Sequence, residues 1–284
     1  MSEQQKETKL FFNDYSKQWK NSASLKDGII QQRNDFVVSI AKEFFNRNLH
    51  SYLDAGCGTG ELLQEMQNYC QTLTGIDFAP QMIEEAKNLK ISKSLDNCNF
   101  EVADALNYGD PNSYDLISAN GFIEYISLEQ LRLFIANCRK NITNNGIISL
   151  GSRNRLFNLT TFNEFTHDEY LNEKNVKLLA EEAILLSNPD FTMEEFSKGK
   201  ASTDYQKSEY TQPKTGITVS QRFQYTPLQL SNLLKEFGFQ TIKISGCNFH
   251  QMPISLKESD YRAPEESLAH IPFCSTFMIA ARKT

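Results

Sequence analysis

The chain has 284 residues, of which 35 are Asp or Glu and 29 are Lys or Arg, so its net charge is −6. No basic stripe stands out along it, which argues against the clustered Lys and Arg that neutralise nucleic-acid phosphates. No run approaches ~18 apolar residues, and the N-terminus is polar rather than signal-like. We therefore expect a cytoplasmic protein with no membrane span, built as one large or two small domains.

The first 49 residues are predicted to be largely helical. Between Ile29 and Phe45 the apolar residues recur with helical spacing, which predicts a helix that packs on a sheet. An aromatic-rich segment from Phe11 to Trp19 lies ahead of this helix. Such a concentration of rings predicts at least a small satellite core under the N-terminus.

The most informative run is Leu53–Leu63, which reads as a strand end, a glycine turn and a helix start. Glycines 56, 58 and 60 let the backbone turn sharply and approach a ligand closely. A turn of this kind at the carboxyl end of a strand is typical of a nucleotide-like ligand. Glu61 stands where a dinucleotide fingerprint has its third glycine, and no Walker-type Lys follows. A nicotinamide enzyme and a phosphate-binding P-loop are both disfavoured.

Two further predicted strands end close to acidic residues. Thr72–Asp77 ends 23 positions after Asp54, near the ~20-residue offset at which Rossmann-type folds place a carboxylate on ribose hydroxyls. Pro80 lies in the first turn of the next helix, where proline is tolerated. The strand Asn99–Ala103 leads to Asp104, a common type of helix N-cap.

The rest of the core continues this alternation of strands and helices. Apolar runs of strand length occur at residues 114–120, 146–151, 240–244 and 273–281. Capping boxes at Ser127–Gln130 and Thr226–Gln229 begin two helices, and Gly238 ends the second one. The alternation predicts an α/β fold whose mostly parallel sheet is covered by helices on both faces.

Residues 153–225 form an insertion that is too long for a bare loop in a compact domain. A capping box at Thr166–Glu169 predicts a helix that runs to Asn188, and Thr192 begins another. Residues 199–215 are polar and are predicted to be a mobile loop. Gly216–Tyr225 alternates enough to predict a strand or one arm of a hairpin.

The pattern Asp-x-Gly-x-Gly-x-Gly at residues 54–60 resembles motif I of the class I S-adenosylmethionine (SAM)-dependent methyltransferases. The resemblance covers roughly residues 50–152 and 226–284, and it implies a Rossmann-like, seven-stranded sheet with the last strand inserted antiparallel. It also implies that the glycines wrap the methionine part of SAM, that Asp54 holds its amino group and that Asp77 binds the ribose.

The same resemblance assigns further cofactor contacts. Phe78 and Met82 are expected against the adenine, although both also suit an ordinary core. Asp104 and Ala105 are expected at the adenine amino group, and Asn120 at the cleft. Many family members close an aromatic N-terminal helix over SAM, a role that Tyr15 and Trp19 would take here.

The predicted organisation has three parts: residues 1–49 close over the cofactor, residues 50–152 and 226–284 bind SAM, and residues 153–225 cap the acceptor. The expected function is methyl transfer to a small molecule, at oxygen more than at nitrogen, with sugars, glycan precursors and natural products open as acceptors. A protein or peptide methyltransferase and a non-catalytic SAM-binding regulatory protein are the alternatives.

The catalytic residues are less defined than the cofactor residues. Tyr125 stands where many small-molecule methyltransferases have a His, so we expect any general base to be His167 or His250. Arg155 and Tyr210 are weaker candidates for contact with the acceptor. No His, Asp or Glu cluster has metal-ligand spacing, so no metal is expected. The six scattered cysteines are expected to be reduced thiols, and a nucleophilic Cys57 is not expected.

Overall fold

The computed structural model describes residues 3–23, 28–171, 173–188, 190–211, 216, 218–249 and 268–284. Its strands, in chain order, are β1 (Leu49–Ala55), β2 (Cys70–Asp77), β3 (Cys98–Val102), β4 (Tyr114–Asn120), β5 (Ile142–Arg153), β6 (Gln206–Thr211), β7 (Thr218–Gln224), β8 (Phe239–Phe249) and β9 (Cys274–Lys283).

The helices surround these strands. They are α1 (Glu3–Ala23), α2 (Ile29–Phe44), α3 (Glu61–Met66), α4 (Pro80–Lys93), α5 (Leu128–Asn141), α6 (Glu164–Leu171), α7 (Glu173–Ser187), α8 (Met193–Lys198) and α9 (Pro227–Glu236). Short 3₁₀ turns lie at Ile123–Tyr125, Arg155–Leu159 and Leu268–Phe273. Within the described residues, no helix is long and apolar enough to cross a membrane.

The central sheet has seven strands in the order β3-β2-β1-β4-β5-β9-β8. All neighbours pair in parallel except β9, which runs antiparallel to both β5 and β8. The chain moves outward in one direction from β1 and in the other direction from β4. This change of direction leaves a crevice beyond the carboxyl ends of β1 and β4, where open α/β sheets bind ligands. The predicted fold class is confirmed.

Both faces of the sheet are apolar, because successive strand residues point to opposite sides. On β9, Phe277, Ile279 and Ala281 join one cluster of buried residues, whereas Met278 and Ala280 join the other. Helices α5, α7 and α9 cover the first face, and α2, α3 and α4 cover the second. The predicted helix over Ile29–Phe45 is therefore α2, with its apolar stripe buried on the sheet.

Local capping signals fix several boundaries of the core. Both predicted capping boxes form: Ser127 and Gln130 cap α5, and Thr226 and Gln229 cap α9. Gly238 follows α9 with a φ of +74°, the left-handed conformation that favours glycine at a helix end. These short-range patterns therefore place the helices on the sheet as expected.

The insertion differs from the prediction in two places. The expected helix from Thr166 is two helices, α6 and α7, and α6 begins earlier because Asn163 Oδ1 accepts the Phe165 N–H at 2.9 Å. Thr166 Oγ1 is used elsewhere, since it donates to the Thr161 carbonyl at 2.7 Å. Part of the polar stretch expected to be mobile is strand β6, which pairs antiparallel with β7.

A buried polar cluster organises the interior of the insertion. The Arg155 side chain is 1% exposed and binds both carboxylate oxygens of Glu169, at 2.7 and 2.9 Å. Asn158 donates to Gln224 at 2.7 Å and so connects this pair to the β6–β7 hairpin. Arg155 is therefore a structural residue within the insertion, and it does not line the cavity described below.

Candidate functional site

A cavity of about 720 Å³ opens at the carboxyl ends of β1, β2 and β4. Ligand pockets in proteins typically measure about 300–1,000 Å³. Its walls come from α1, the glycine turn, the ends of the central strands and the β6–β7 hairpin. The crevice that the sheet topology creates is thus closed over by the two parts of the chain that lie outside the core.

The glycine turn forms one wall of the cavity. Gly56 and Gly58 line it with φ values of +74° and +54°, which side chains rarely adopt. A Cβ atom on Gly58 would lie 3.1 Å from Trp19 Nε1, a tight contact that adds to the strain of a side chain at this positive φ. Gly60 differs, because a Cβ there would lie 2.9 Å from the Phe100 ring. Gly60 therefore serves the packing of the turn on the sheet and lies outside the cavity lining.

Asp77 holds the turn in place from the end of β2. Its Oδ2 accepts the Gly58 N–H at 3.2 Å and its Oδ1 accepts the Ala79 N–H at 2.8 Å. Burial raises the pKa of Asp77 to about 6, although these backbone N–H groups oppose the rise. The carboxylate lines the cavity, where it can also accept hydrogen bonds from a ligand.

Asp54 lies deeper, in a small recess beside the main cavity that Arg33, Gly58 and Asn120 also line. Ser118 Oγ donates to Asp54 Oδ1 at 2.5 Å. Burial raises the pKa of Asp54 to about 7, with a further contribution from the Asp77 carboxylate, while the Ser118 hydrogen bond lowers it. Because burial disfavours the ionised form of Asp54, a cationic group of a ligand would stabilise that form and bind strongly to it.

Asn120 is the clearest sign that a ligand completes the site. Its side-chain oxygen and nitrogen are both buried, and neither has a hydrogen-bond partner. Buried amides nearly always have partners, because a buried polar group without one costs roughly 1–3 kcal/mol. Asn120 ends β4 and lines both the cavity and the recess, so a ligand there can satisfy it.

The remaining predicted cofactor residues line the same cavity. Phe78 and Met82 contribute apolar surface beside Asp104 and Ala105. Asp104 Oδ1 also accepts the Leu106 N–H at 3.0 Å, so its side chain organises the loop after β3 as well. These residues come from the ends of β2 and β3, and the topology places them together on one side of the glycine turn.

The N-terminal helix α1 covers the cavity. Tyr15 and Trp19 both line it, and their ring centroids lie 6.3 Å apart. Gln4 Nε2 donates to the Tyr125 carbonyl at 2.7 Å, which fixes α1 to the loop after β4. The two aromatic residues singled out from the sequence are thus brought to the site.

Of the two predicted bases, the structure describes only His167, and it lies away from the cavity. His167 is on α6 with 77% of its side chain exposed, and its Nδ1 lies 3.5 Å from Asp168. It points away because the opposite face of α6, with Phe165 and Glu169, packs inward. His250 lies outside the described residues. Among the described residues that line the cavity there is no histidine.

A charged cluster that the sequence analysis missed lies in the cavity wall. Glu124 Oε1 is 3.3 Å from Arg33 Nη2, and Glu124 Oε2 is 3.3 Å from Arg153 Nε and 3.5 Å from Arg222 Nε. These residues come from α2, the turn after β4, β5 and β7. Nothing local in the sequence connects them, because only the fold brings the four elements together.

The cysteine thiols are inert in this arrangement. All six are free and buried. Cys57 lies inside the glycine turn, where burial and the Asp77 and Asp54 carboxylates raise its pKa well above its ordinary value. A thiol nucleophile requires the opposite shift. In the described part of the chain, no group of three or more His, Cys, Asp or Glu is placed to hold a metal ion.

A family model described as a methyltransferase domain matches residues 53–148. The chain is 30% identical over 99 residues, 34% of its length, to phosphoethanolamine N-methyltransferase 1 of Caenorhabditis elegans, and the match covers 20% of that protein. It is 28% identical over 166 residues, 55% of its length, to the mitochondrial ubiquinone biosynthesis O-methyltransferase of Schizosaccharomyces pombe, of which 59% is covered. The matches thus span less than two thirds of either relative.

Among solved structures, the DhpI–SAM–HEP complex is similar along almost the whole chain. The TM-score is 0.58, the identity is 11%, and 99% of each chain is covered. At this identity the likeness concerns the fold. It includes the parts of the chain outside residues 53–148, and so the likeness in fold is not confined to the region that the family model matches.

Proposed function

We propose that the chain contains a domain of the class I SAM-dependent methyltransferases and that it uses this domain to transfer a methyl group from SAM to a small molecule. The observation that carries the proposal is a meeting of three features at one cavity. These are the glycine turn, the Asp77 carboxylate and the buried Asn120 amide without a partner. Each belongs to a different strand end, and a single ligand can engage all three.

The residues of the cavity fit SAM in charge and polarity. The recess holds Asp54 and Arg33, which suit the ammonium and carboxylate of an amino acid, and Asn120 can bond to either group. Asp77 can accept two hydroxyl hydrogen bonds from a ribose. Phe78 and Met82 offer the apolar surface that an adenine requires. SAM supplies an activated methyl group on a sulfonium centre.

The acceptor is proposed to bind between the sheet and the insertion. α1 closes this space from the other side, because Gln4 binds the Tyr125 carbonyl and Glu7 Oε2 accepts the Ser220 N–H of β7 at 3.1 Å. An enclosed space of this kind favours a small molecule over a protein side chain. We keep residues 1–49 as the cover, residues 50–152 and 226–284 as the SAM-binding core, and residues 153–225 as the acceptor cap.

Oxygen is the proposed methyl-accepting atom. The ubiquinone biosynthesis O-methyltransferase relative supports oxygen, and the phosphoethanolamine N-methyltransferase relative keeps nitrogen as the second candidate. Alignment of the acceptor with the methyl group can supply most of the rate, since well-oriented groups react with effective molarities of about 10⁵–10⁸ M. A histidine base is then not required.

Calorimetry with SAM, its demethylated product S-adenosylhomocysteine (SAH) and NAD tests the cofactor assignment. We expect SAM and SAH to bind and NAD to bind much more weakly. Tighter binding of NAD, or no binding of SAM, would contradict the proposal. A screen of hydroxylated and amino metabolites with methyl-labelled SAM then separates an enzyme from a binding protein, and a parallel arm with peptides tests the alternative class of acceptor.

A further inference from the structure

The Glu124 cluster carries more positive than negative charge. Glu124 is 3% exposed, and the guanidiniums of Arg33, Arg153 and Arg222 all lie within 3.5 Å of its oxygens. The side chains of Arg33 and Arg222 are 10% and 8% exposed, and that of Arg153 is 36% exposed. Three cations and one carboxylate have a formal charge of +2.

An excess of buried charge is expensive unless a counterion balances it. The acidic residues among the described lining of the cavity are Asp77, Asp104 and Glu124. Asp77 and Asp104 accept backbone N–H groups at the ends of β2 and β3. They lie in the part of the cavity that is proposed to bind SAM, which we call the cofactor half. Among the described residues that line the cavity, the arginines near Glu124 therefore outnumber the carboxylates on their side, and they lie where a ligand can contact them.

The cofactor can balance one arginine but not all three. Arg33 also lines the recess that contains Asp54, where the amino-acid part of SAM is proposed to bind, and can pair with its carboxylate. Arg153 and Arg222 line the main cavity and not the recess. With Glu124 they form a wall of two cations and one carboxylate, and the sulfonium of SAM would add another positive charge to the cavity.

The position of the two remaining arginines points to the acceptor. Arg153 ends β5 in the core, Arg222 lies on β7 in the insertion, and Glu124 stands between them in the turn after β4. The Arg222 guanidinium lies 5.7 Å from the centre of the Tyr125 ring, which orients it. Burial lowers the pKa of Arg153; Glu124 opposes this, and Arg222 lowers it further. The guanidiniums are close enough to share one oxyanion.

We infer that the methyl acceptor carries an oxyanionic group, either a carboxylate or a phosphate, and that Arg153 and Arg222 bind this group. The inference rests on the proposed function, because it concerns the acceptor of that reaction. Planar guanidiniums bind carboxylate and phosphate oxygens in a bidentate manner, which gives both affinity and orientation. The bound group would fix the acceptor while its hydroxyl or amine faces the methyl group.

The test uses the full chain saturated with SAH, so that the cofactor half of the cavity is already filled. The probes are benzoate, phenyl phosphate and neutral benzamide, and calorimetry gives the Kd of each. They share a ring because aromatic side chains such as Phe12, Phe157 and Phe165 line the cavity. We expect at least one anion to bind about tenfold or more tighter than benzamide; the tighter anion identifies the group.

Variants locate the binding. Arg153→Gln and Arg222→Gln should each weaken anion binding by about 10- to 100-fold, the loss that one charge-assisted hydrogen bond supports. Glu124→Gln should act in the opposite direction and strengthen it, because the arginines lose their competing carboxylate. Arg132→Gln is the control, since Arg132 pairs with Glu236 on the exposed surface. It should leave the Kd of each probe unchanged.

Binding of benzamide as tight as that of both anions would overturn the inference. So would anion binding that is unchanged in Arg153→Gln and Arg222→Gln. Should Arg222→Gln lose SAH binding through misfolding, Glu124→Gln still decides, because a purely structural cluster predicts no gain in anion affinity. Failure of the parent chain to bind SAH would instead contradict the proposed function, so the two failures are distinguishable.

Discussion

The Asp54 carboxylate should destabilise the SAM-free protein and strengthen its binding of SAM. In the native state its pKa is about 7, against an ordinary value of 3.8, and burial is the main cause. Between about pH 4 and 7 the native state holds this proton while the unfolded state releases it, so the contribution of Asp54 to stability falls as pH rises. Above pH 7 the buried charge is fully formed and the penalty is greatest.

Asp54→Asn removes the charge and keeps the oxygen that accepts the Ser118 hydroxyl. The difference of about 3 pKa units corresponds to as much as about 4 kcal/mol. We therefore expect Asp54→Asn to raise the melting temperature of the SAM-free protein at pH 8 by several degrees, at roughly 2–4 °C per kcal/mol. The gain should shrink as pH falls below 7 and approach zero below about pH 3, where Asp54 is protonated in both the native and the unfolded state. SAM affinity should fall by tenfold or more.

Asp115→Asn is the matched control on the neighbouring strand. Burial raises the pKa of Asp115, but Arg47 and the His50 N–H outweigh it and hold this pKa below its ordinary value. Arg47 binds both oxygens of Asp115 at 3.1 Å. The stabilising contribution of Asp115 is present above the ordinary pKa of an aspartate and is lost as pH falls through the pKa of Asp115 in the native state. Asp115→Asn should lower the melting temperature at pH 8.

Thermal unfolding of the two variants at pH 8 and pH 5, followed by calorimetry with SAM, measures these effects. The expected signs are opposite: Asp54→Asn stabilises and loses SAM, whereas Asp115→Asn destabilises and keeps SAM affinity in the protein that remains folded. If Asp54→Asn lowered the melting temperature at pH 8 as much as Asp115→Asn does, the argument from buried charge would be refuted.

Three further changes test other parts of the site. Gly58→Val should abolish SAM binding in calorimetry and leave a folded protein, whereas Gly216→Val, at an open left-handed position, should bind SAM normally; normal SAM binding by Gly58→Val would exclude the turn. His167→Ala should keep the parental SAM affinity and turnover, because the ring is exposed; a large loss of turnover would return His167 to the reaction. Glu169→Gln should destabilise the protein in urea by roughly 1–3 kcal/mol, since the buried Arg155 guanidinium then keeps only the more distant and half-exposed Asp204 carboxylate, 3.8 Å away. Unchanged urea unfolding would contradict this.

The core could be predicted from the sequence because its signals are local. Seven strand-length apolar runs gave seven strands of the central sheet, since strands buried on both faces have few polar positions. The capping boxes at Ser127 and Thr226 formed for the same reason: donor and acceptor lie within one turn. The Gly56 and Gly58 turn is also local, and its ligand-facing role follows from its place at a strand end.

The insertion was harder to predict because tertiary contacts override its local signals. Thr166 and Glu169 have the spacing of a capping box, but Glu169 is committed to Arg155, and Thr166 binds the Thr161 carbonyl. Strand β6 could not be predicted from its polar composition, because the strand is stabilised by hydrogen bonds to β7 and not by a pattern of apolar residues. The partners Arg155, for Glu169, and β7, for β6, are too distant along the chain for a local pattern to reveal.

The two halves of the cavity therefore differ in how they are encoded. The proposed cofactor half is built from the ends of successive strands, within the segment that the family model matches. The proposed acceptor half depends on Arg153 and Arg222, which lie outside that segment on β5 and β7 and meet at Glu124 only after folding. Relatives can thus share the local motifs of cofactor binding and still differ in acceptor. For this chain, the arginines near Glu124 and not the glycine turn are the residues expected to determine which molecule is methylated.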